Sequence, residues 1–229
     1  MIALIKNIWK FLRHHSYREL LNRLCRLMVK PFYESTARYI VKLDLRFAAD
    51  PDPNLHTKEL VSADTDNMLK VMYISRSSLQ RRLECGDRCF AVIDNGQILS
   101  YFWAHFGLKN FQELHLNFRL LTNQTWMYNA ITVKAARGRG LYPNTIRYMA
   151  KVLQKSGIDE AFIDVDSKNC PSIRGLEKAG CTRVALIHMK KILSKTVYKI
   201  TVFDNSTWCR LSQIIENFDS LQRIVENIT

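Results

Sequence analysis

Apolar and polar positions alternate along several short stretches of the chain, and this period of two predicts β-strands. The clearest pair is Arg88 to His105, where two apolar runs flank Asp94-Asn95-Gly96, a favoured tight-turn sequence. Other short stretches predict strands over 39–47, 56–61, 114–120, 126–133, 161–165, 183–192 and 197–203. Apolar residues at helical spacing predict helices between 62 and 83, over 143–156, after Asn169 and over 208–228.

The first 30 residues show a helical apolar pattern with seven Lys and Arg side chains against one acidic residue. Such a basic amphipathic segment suits a helix lying on an anionic membrane surface. It equally suits a helix pair packed on its own domain with a solvated basic face. Pro51 and Pro53 then interrupt regular structure. This predicts a basic helical extension over 1–50, a main domain over 51–204 and a helical C-terminal extension over 205–229.

Composition narrows the class of protein. The apolar fraction of 47% and the charged fraction of 24% are those of a folded globular protein. A net charge of +13 implies an anionic partner: a nucleic acid, a membrane surface or a phosphorylated ligand. The six cysteines lack the spacing of a zinc site, which indicates reduced thiols, no bound metal and a cytoplasmic location.

A strand, a glycine-rich turn and a helix follow one another in Thr125 to Tyr142, TWMYNAITVKAARGRGLY, and the helical run behind it. Such a turn presents backbone N–H groups at a helix N-terminus, where the helix dipole favours an anion. A P-loop would continue Gly-Lys-Ser/Thr, whereas Leu-Tyr-Pro follows Gly140. A dinucleotide-binding turn would need three glycines, and only Gly138 and Gly140 are present.

The order of motifs in the loop and after it distinguishes between these kinds of phosphate-binding turn. Arg137-Gly-Arg-Gly140-Leu-Tyr142 resembles the R/Q-x-x-G-x-G/A pyrophosphate loop of the GNAT superfamily of acyl-CoA-dependent N-acyltransferases, with Tyr142 in place of the last small residue. Asn169, Ser172-Ile173 and Gly180 are similar to a later motif of that family. The resemblance covers roughly residues 57–203. It implies an α/β fold of the α+β kind, with a central mixed, mostly antiparallel sheet flanked by helices.

The resemblance also implies that acetyl-CoA or another acyl-CoA is the co-substrate. The backbone of residues 138–142 would cradle its pyrophosphate, helped by the charges of Arg137 and Arg139. The strand around Ile131 to Val133 would splay from its neighbour and bond the pantetheine arm. Asn169 would contact that arm, with Ser172 close by. Arg139 as a solvated loop residue and Asn169 as a plain helix cap remain alternatives. The predicted cofactor-binding residues are Ile131, Thr132, Val133, Arg137, Gly138, Arg139, Gly140, Leu141, Tyr142, Asn169 and Ser172.

Catalytic groups are less clear from the sequence. The family often supplies a tyrosine to reprotonate the thiolate, and the matching residue here is Leu176, which cannot do so. Candidate bases are Tyr128 on the central strand, and Glu113 and His115 on the strand before it, with His105 as a further option. An ordinary packing or surface role is the alternative for each.

The function that the resemblance implies is transfer of an acyl group, most simply acetyl, to a primary amine by direct attack. The acceptor could be an amino sugar, a small metabolite, a lipid-linked precursor or a protein amine. The basic N-terminal segment favours a membrane-proximal acceptor such as an envelope glycan precursor, and hence a location on the inner face of the membrane. A non-catalytic CoA-binding sensor or scaffold is the alternative. No recognition motif supports nucleic-acid binding.

Overall fold

A computed structural model describes residues 33–193, 195–216 and 223–227, and of residue 216 and residues 223–227 it gives the backbone alone. We number the elements in chain order. The strands are β1 Tyr33–Asp44, β2 Thr57–Leu60, β3 Arg88–Asp94, β4 Gln97–His105, β5 Leu108–Phe111, β6 Leu116–Arg119, β7 Gln124–Thr132, β8 Glu160–Asp166, β9 Thr182–Ile192, β10 Lys195–Val202, β11 Ile215–Glu216 and β12 Arg223–Asn227. The α-helices are α1 Thr65–Val71, α2 Arg76–Glu84, α3 Leu141–Lys155, α4 Cys170–Ala179 and α5 Asn205–Gln213.

A nine-stranded sheet in the order β12-β10-β9-β1-β8-β7-β4-β3-β2 forms the centre of the described chain. The pairs β7–β8 and β10–β12 are parallel and the other neighbours are antiparallel. A three-stranded sheet, β11-β6-β5, packs beside it. The predicted mixed, mostly antiparallel sheet flanked by helices is therefore confirmed.

Local turn chemistry explains the β3–β4 hairpin, which the sequence also predicts. Asn95 and Gly96 connect the strands with φ values of 47° and 75°. Two successive positive φ angles are those of a type I′ turn, whose twist matches that of the strands it joins. The hairpin places the middle of β4 next to β7, where the cleft described below opens.

The two faces of the large sheet are covered differently. On one face, α3 and α4 bury their apolar residues, among them Ile146, Met149 and Leu153 of the predicted apolar stripe. On the other face, α1 and α2 cover β3 and β4. The small sheet and α5 cover β8, β1, β9 and β10 around the fully buried Trp126. Burying whole apolar side chains at about 1.5–3 kcal/mol each supplies the driving force for this arrangement.

The N-terminal part of the chain differs from the expected extension over residues 1–50. Tyr33–Asp44 form β1, which lies between β8 and β9 inside the large sheet, and Leu45–Phe47 form a 3₁₀ turn capped by Asp44. The expected boundary at residue 51 thus falls in a loop of the sheet domain. Ile40 and Val41 are buried, and β-branched residues favour such a position. Residues 1–30, with their predicted basic helix, lie outside the described residues.

Two further expectations about secondary structure were wrong. Residues 112–115 form a turn between β5 and β6, so Glu113 and His115 do not lie on a strand; His115 has φ 52°, a left-handed conformation that ends strand alternation. The predicted C-terminal helix over 208–228 is also shorter. It begins at Asn205 and ends at Gln213, and β11 and β12 follow because they pair with β6 and β10, which are distant in sequence.

Candidate functional site

A cleft opens where the parallel strands β7 and β8 separate. They pair from Gln124 with Glu160 to Met127 with Ile163, and their pairing ends there although both strands continue. The space between the diverging ends is a cleft of about 780 Å³. Its walls come from β1, β7, β8, α2, α3, α4 and the β5–β6 region. They are formed by Arg38, Arg82, Lys109, Asn110, Phe111, Gln112, Glu113, Tyr128, Asn129, Ala130, Tyr142, Ile163, Asp164, Val165, Asp166, Asn169 and Ser172.

A bulge on β7 shapes one wall of this cleft. Tyr128 pairs with Trp103 and Ile131 pairs with Tyr101, so β7 has one residue more than β4 between these pairs. Asn129 takes up the extra length with φ 47°. With the Asn129 amide oriented so that its oxygen faces Arg82, Asn129 Oδ1 lies 2.6 Å from Arg82 Nη1 and accepts its hydrogen bond. A bulge interrupts the ladder, and here it does so at the wall of the cleft.

The glycine-rich loop stands beside the cleft at the start of α3. Gly138 and Gly140 have φ values of 82° and 73°, and a Cβ added to either would meet nothing within 4 Å. The amides of residues 138–142 make no hydrogen bond to any described residue. An exposed left-handed loop with unpaired amides at a helix N-terminus can hold an anion.

The loop's arginines are exposed and weakly held. Arg137 Nε lies 3.3 Å from the carbonyl oxygen of Thr132, and Arg139 Nη2 lies 3.9 Å from Asp94 Oδ2. Both guanidinium groups are therefore available to an anion. Leu141 is different, because its side chain is buried against Val92 and Ala136.

Tyr142 connects the loop to the cleft. Its ring packs edge-on to Phe102 with centroids 4.7 Å apart, and Tyr142 and Ser172 both line the cleft. Burial raises the pKa of this phenol well above its usual range, so the group is neutral. The large side chain of Tyr142 therefore occupies the position at which the loop motif of the GNAT superfamily has a small residue.

The other predicted cofactor residues divide into two groups. Asn169 and Ser172 line the cleft, and Asn169 Oδ1 also accepts from the amide of Ser172 at 3.2 Å as the cap of α4. Ile131, Thr132 and Val133 follow the bulge, where they remain bound to β4, and they lie outside the set of residues that forms the cleft walls. Leu176 is buried in the core, consistent with its inability to donate a proton.

Tyr128 belongs to a hydrogen-bonded chain on the cleft wall. Its hydroxyl donates to Asp87 Oδ2, and Asp87 Oδ1 lies 2.7 Å from His105 Nδ1. Burial, followed by the bond to Asp87, raises the pKa of Tyr128 far above its usual range. The other ring nitrogen of His105 lies 2.9 Å from the carbonyl oxygen of Leu108, so both nitrogens face acceptors. His105 therefore positions Asp87, and both of its ring nitrogens already have partners.

Of the two remaining candidate bases, Glu113 and His115, only Glu113 lines the cleft. Glu113 is exposed in the β5–β6 turn and lines the cleft. His115 Nε2 lies 3.3 Å from Glu34 Oε2, and the side chain is not among those that form the walls. The structure thus brings Tyr128 and Glu113 to one cleft and leaves His115 outside it.

Several cleft residues have no motif to mark them in the sequence. Asp164 is half-buried, accepts from Arg38 Nε at 2.7 Å and from Trp126 Nε1 at 3.2 Å, and has its pKa raised by burial against the opposing effect of Arg38. Asp87, Arg82 and Lys109 reach the site from separate elements. Asp164 lies within the strand predicted over 161–165, at a polar position between Ile163 and Val165.

The described residues contain no group of three or more His, Cys, Asp or Glu side chains placed to hold a metal ion. None of the helices in these ranges has the length and apolar character that crossing a bilayer requires. Cys85, Cys89, Cys170, Cys181 and Cys209 are free thiols.

Comparison with solved structures identifies the fold. A GCN5-related N-acetyltransferase from Sphaerobacter thermophilus superposes with a TM-score of 0.54 at 14% identity, over 74% of this chain and 56% of that one. The chain has the GNAT fold. A protein from Novosphingobium aromaticivorans assigned to the GNAT family gives a TM-score of 0.51 at 16% identity, over 68% of this chain and 63% of the other.

A third GNAT structure broadens the comparison. The GCN5-related glucosamine N-acetyltransferase region of a fungal multi-domain GH3 β-N-acetylglucosaminidase gives a TM-score of 0.51 at 11% identity, over 74% of this chain and 22% of that one. The chain thus spans less than two thirds of the length of each of these GNAT structures. No protein-family model and no curated protein sequence matches the chain.

Proposed function

We propose that the protein is an acyl-CoA-dependent N-acyltransferase that moves an acetyl group to a primary amine. The observation that carries this proposal is the cleft between the diverging ends of β7 and β8, which lies next to a loop of unpaired amides at the N-terminus of α3. An extended chain with a diphosphate at one end fits this pair of features: the diphosphate meets the amides and the chain enters the cleft.

The residues present fit acyl-CoA as co-substrate. The amides of residues 138–142 would bind the diphosphate and the exposed Arg137 and Arg139 would add charge complementarity. Asn169 and Ser172 on the cleft wall would meet the pantetheine arm. Acetyl-CoA supplies an activated thioester, and the protein's remaining task is to position the amine and remove its proton.

Tyr128 and Asp87 are arranged for proton removal. The neutral phenol donates to Asp87, so its oxygen lone pairs are free to accept a hydrogen bond from an amine in the cleft. As a neutral amine nitrogen bonded to the acetyl carbon, the thioester C–S bond would break and its electron pair would leave on the CoA sulfur. The amine proton would pass to Tyr128 Oη while the phenolic proton passed to Asp87 Oδ2, and a proton from Tyr142 or from water would convert the thiolate to the thiol. Glu113 at the mouth of the cleft is the alternative base, through a water molecule. Tyr142 is a neutral phenol on the cleft wall, and it is the candidate donor for the proton that Leu176 cannot supply.

The test is acetyl transfer itself. The full-length protein is incubated with acetyl-CoA and a panel of primary amines, and mass spectrometry detects acetylated products. We expect time-dependent acetylation of at least one amine, abolished by boiling the protein. Absence of product with the whole panel, together with normal binding of CoA, would favour the non-catalytic CoA-binding sensor or scaffold, which the buried Leu176 supports.

The membrane-proximal acceptor and the location on the inner face of the membrane also stay proposals. They rest on the charge of residues 1–30. Binding to anionic vesicles that is lost at high salt, and lost on deletion of residues 1–30, would support them. Binding that persists after the deletion would contradict them.

A further inference from the structure

The cleft wall around Tyr128 carries two cations, Arg82 and Lys109. Lys109 Nζ lies 3.9 Å from the centre of the Tyr128 ring, and Arg82 Cζ lies 5.1 Å from it. Arg82 Cζ also stands 5.3 Å from the Trp103 ring. Both cations line the cleft, and both are partly buried. Such contacts with aromatic rings attract a cation, which partly offsets the cost of holding like charges on one wall.

Neither cation has a carboxylate partner among the described residues. Arg82 bonds the neutral amide of Asn129, and no carboxylate oxygen of these residues lies within 4 Å of Lys109 Nζ. Burial lowers the pKa of Lys109, and the nearby charge of Arg82 contributes to the same shift against Asp164 and Asp87. The two cations therefore affect each other, and neither forms a direct ion pair with a carboxylate of the described residues.

The acidic groups of the cleft are placed elsewhere. Asp164 on β8 is paired with Arg38, and Asp87 accepts from both Tyr128 and His105. Glu113 and Asp166 also line the cleft, and both are exposed to solvent. The charged side chains that stack on the Tyr128 ring are the cations Arg82 and Lys109. Unpaired buried cations are costly, and a bound oxyanion would relieve that cost.

We propose that the acceptor is a primary amine that also carries an oxyanion, a carboxylate or a phosphate, which Lys109 and Arg82 bind while the amine faces Tyr128. This rests on the proposed function and specifies its acceptor class. A small amino acid and a phosphorylated amino sugar share this chemistry. A polycationic amine does not, because two cations would repel it.

The experiment compares matched acceptors with and without the anion: L-alanine with L-alaninamide, and D-glucosamine 6-phosphate with D-glucosamine. In at least one pair we expect kcat/KM for the anionic member to exceed that for the neutral one by about tenfold or more. Lys109→Gln should remove the difference by raising KM for the anionic member, and Lys109→Glu should reverse it. Lys190→Gln, an exposed residue of β9, is the matched control and should retain the preference.

A binding arm separates this inference from the proposed function. D-glucosamine 6-phosphate and L-alanine are titrated into the protein by calorimetry, with and without CoA. Binding of either that Lys109→Gln weakens and Lys190→Gln does not would support the anion site even if no acetyl transfer occurs. Failure to bind CoA would instead refute the proposed function. Neutral acceptors that react as well as anionic ones in both pairs, or a preference that Lys109→Gln leaves intact, would overturn the inference.

Discussion

Gly175 of α4 lies directly against the ring of Tyr142 from α3. A Cβ built on Gly175 would stand 2.7 Å from Tyr142 Cδ1 and 3.0 Å from Cε1. Real Cβ atoms do not approach so closely, so the large residue in the loop motif and the glycine in the following helix fit each other. This contact fixes the position of Tyr142 on the cleft wall.

Gly175→Ala should therefore destabilise the protein, although alanine is the better helix former. The clash with the partly buried ring should cost about 1–3 kcal/mol in the free energy of unfolding, measured by urea denaturation. In a Tyr142→Ala background the same change should become neutral or stabilising by up to about 1 kcal/mol. Equal destabilisation in both backgrounds would show that the two residues are not coupled.

Gly140→Ala should weaken the binding of CoA more than it weakens the fold. Gly140 has φ 73° and open space around it, so a methyl group adds backbone strain of about 1–2 kcal/mol without a clash. Relief of that strain would turn the loop amides away from a diphosphate. The measurement is the rise in melting temperature on adding CoA, which we expect to shrink strongly.

Gly96→Ala is the matched control for this loop variant. Gly96 has φ 75° in the β3–β4 turn and equally open surroundings. It should lose similar stability and keep the full CoA-induced rise. Equal losses of the CoA effect in both variants would mean that the loop geometry does not serve binding.

Tyr128→Phe should slow acetyl transfer without loss of CoA binding. The variant removes the hydroxyl that donates to Asp87, so kcat should fall about 10²-fold, a typical contribution of acid–base catalysis. Asp87 would lose a buried donor, at roughly 1–3 kcal/mol of stability. Tyr73→Phe, at a tyrosine that is 97% exposed, is the control and should change neither quantity. An unchanged kcat for Tyr128→Phe would direct attention to Glu113.

The acid stability of α5 should depend on its cap. Asp204 accepts from the amide of Thr207 at 3.0 Å and from the hydroxyls of Thr207 and Ser206. Burial raises the pKa of the Asp204 carboxyl, but these hydrogen bonds outweigh it and lower the pKa to about 2. A carboxyl with a lowered pKa stabilises the fold above its unfolded pKa, and this contribution is lost as pH falls through the folded value. Asp204→Ala should thus cost about 1 kcal/mol at pH 7.

The pH dependence of that difference tests the assignment. Between about pH 4 and pH 2 the free energies of unfolding of wild type and Asp204→Ala, from urea titrations, should converge. A difference that stays constant down to pH 2 would show that the charge of Asp204 contributes nothing.

The sequence predicted the features that depend on local chemistry. Asn95-Gly96 specifies a turn, Pro143 and Gly140 mark the start of α3, and Asn169 caps α4, all through interactions within a few residues. The hydrophobic pattern gave the wrong element where pairing with a strand distant in sequence determines the secondary structure. β12 forms because it lies beside β10, although its sequence also suits a helix.

The candidate site, like the fold, was predictable only where neighbouring residues in the sequence define it. The glycine loop and Asn169 could be located because their spacing is a motif. Asp87, Lys109 and Arg82 could not, because each lies on a different element and only the assembled sheet brings them to Tyr128. Neither the residue types nor their spacing in the sequence indicates that these three side chains lie close to Tyr128.

The most direct measurement of the central claim is a calorimetric titration of the full-length protein with CoA. If the amides of residues 138–142 hold the diphosphate and the cleft between β7 and β8 holds the arm, CoA should bind at one site per chain. The Gly140→Ala variant should bind at least about tenfold more weakly, a loss near 1.4 kcal/mol. Absence of heat from CoA binding to the wild-type protein, or binding that Gly140→Ala leaves unchanged, would contradict the account.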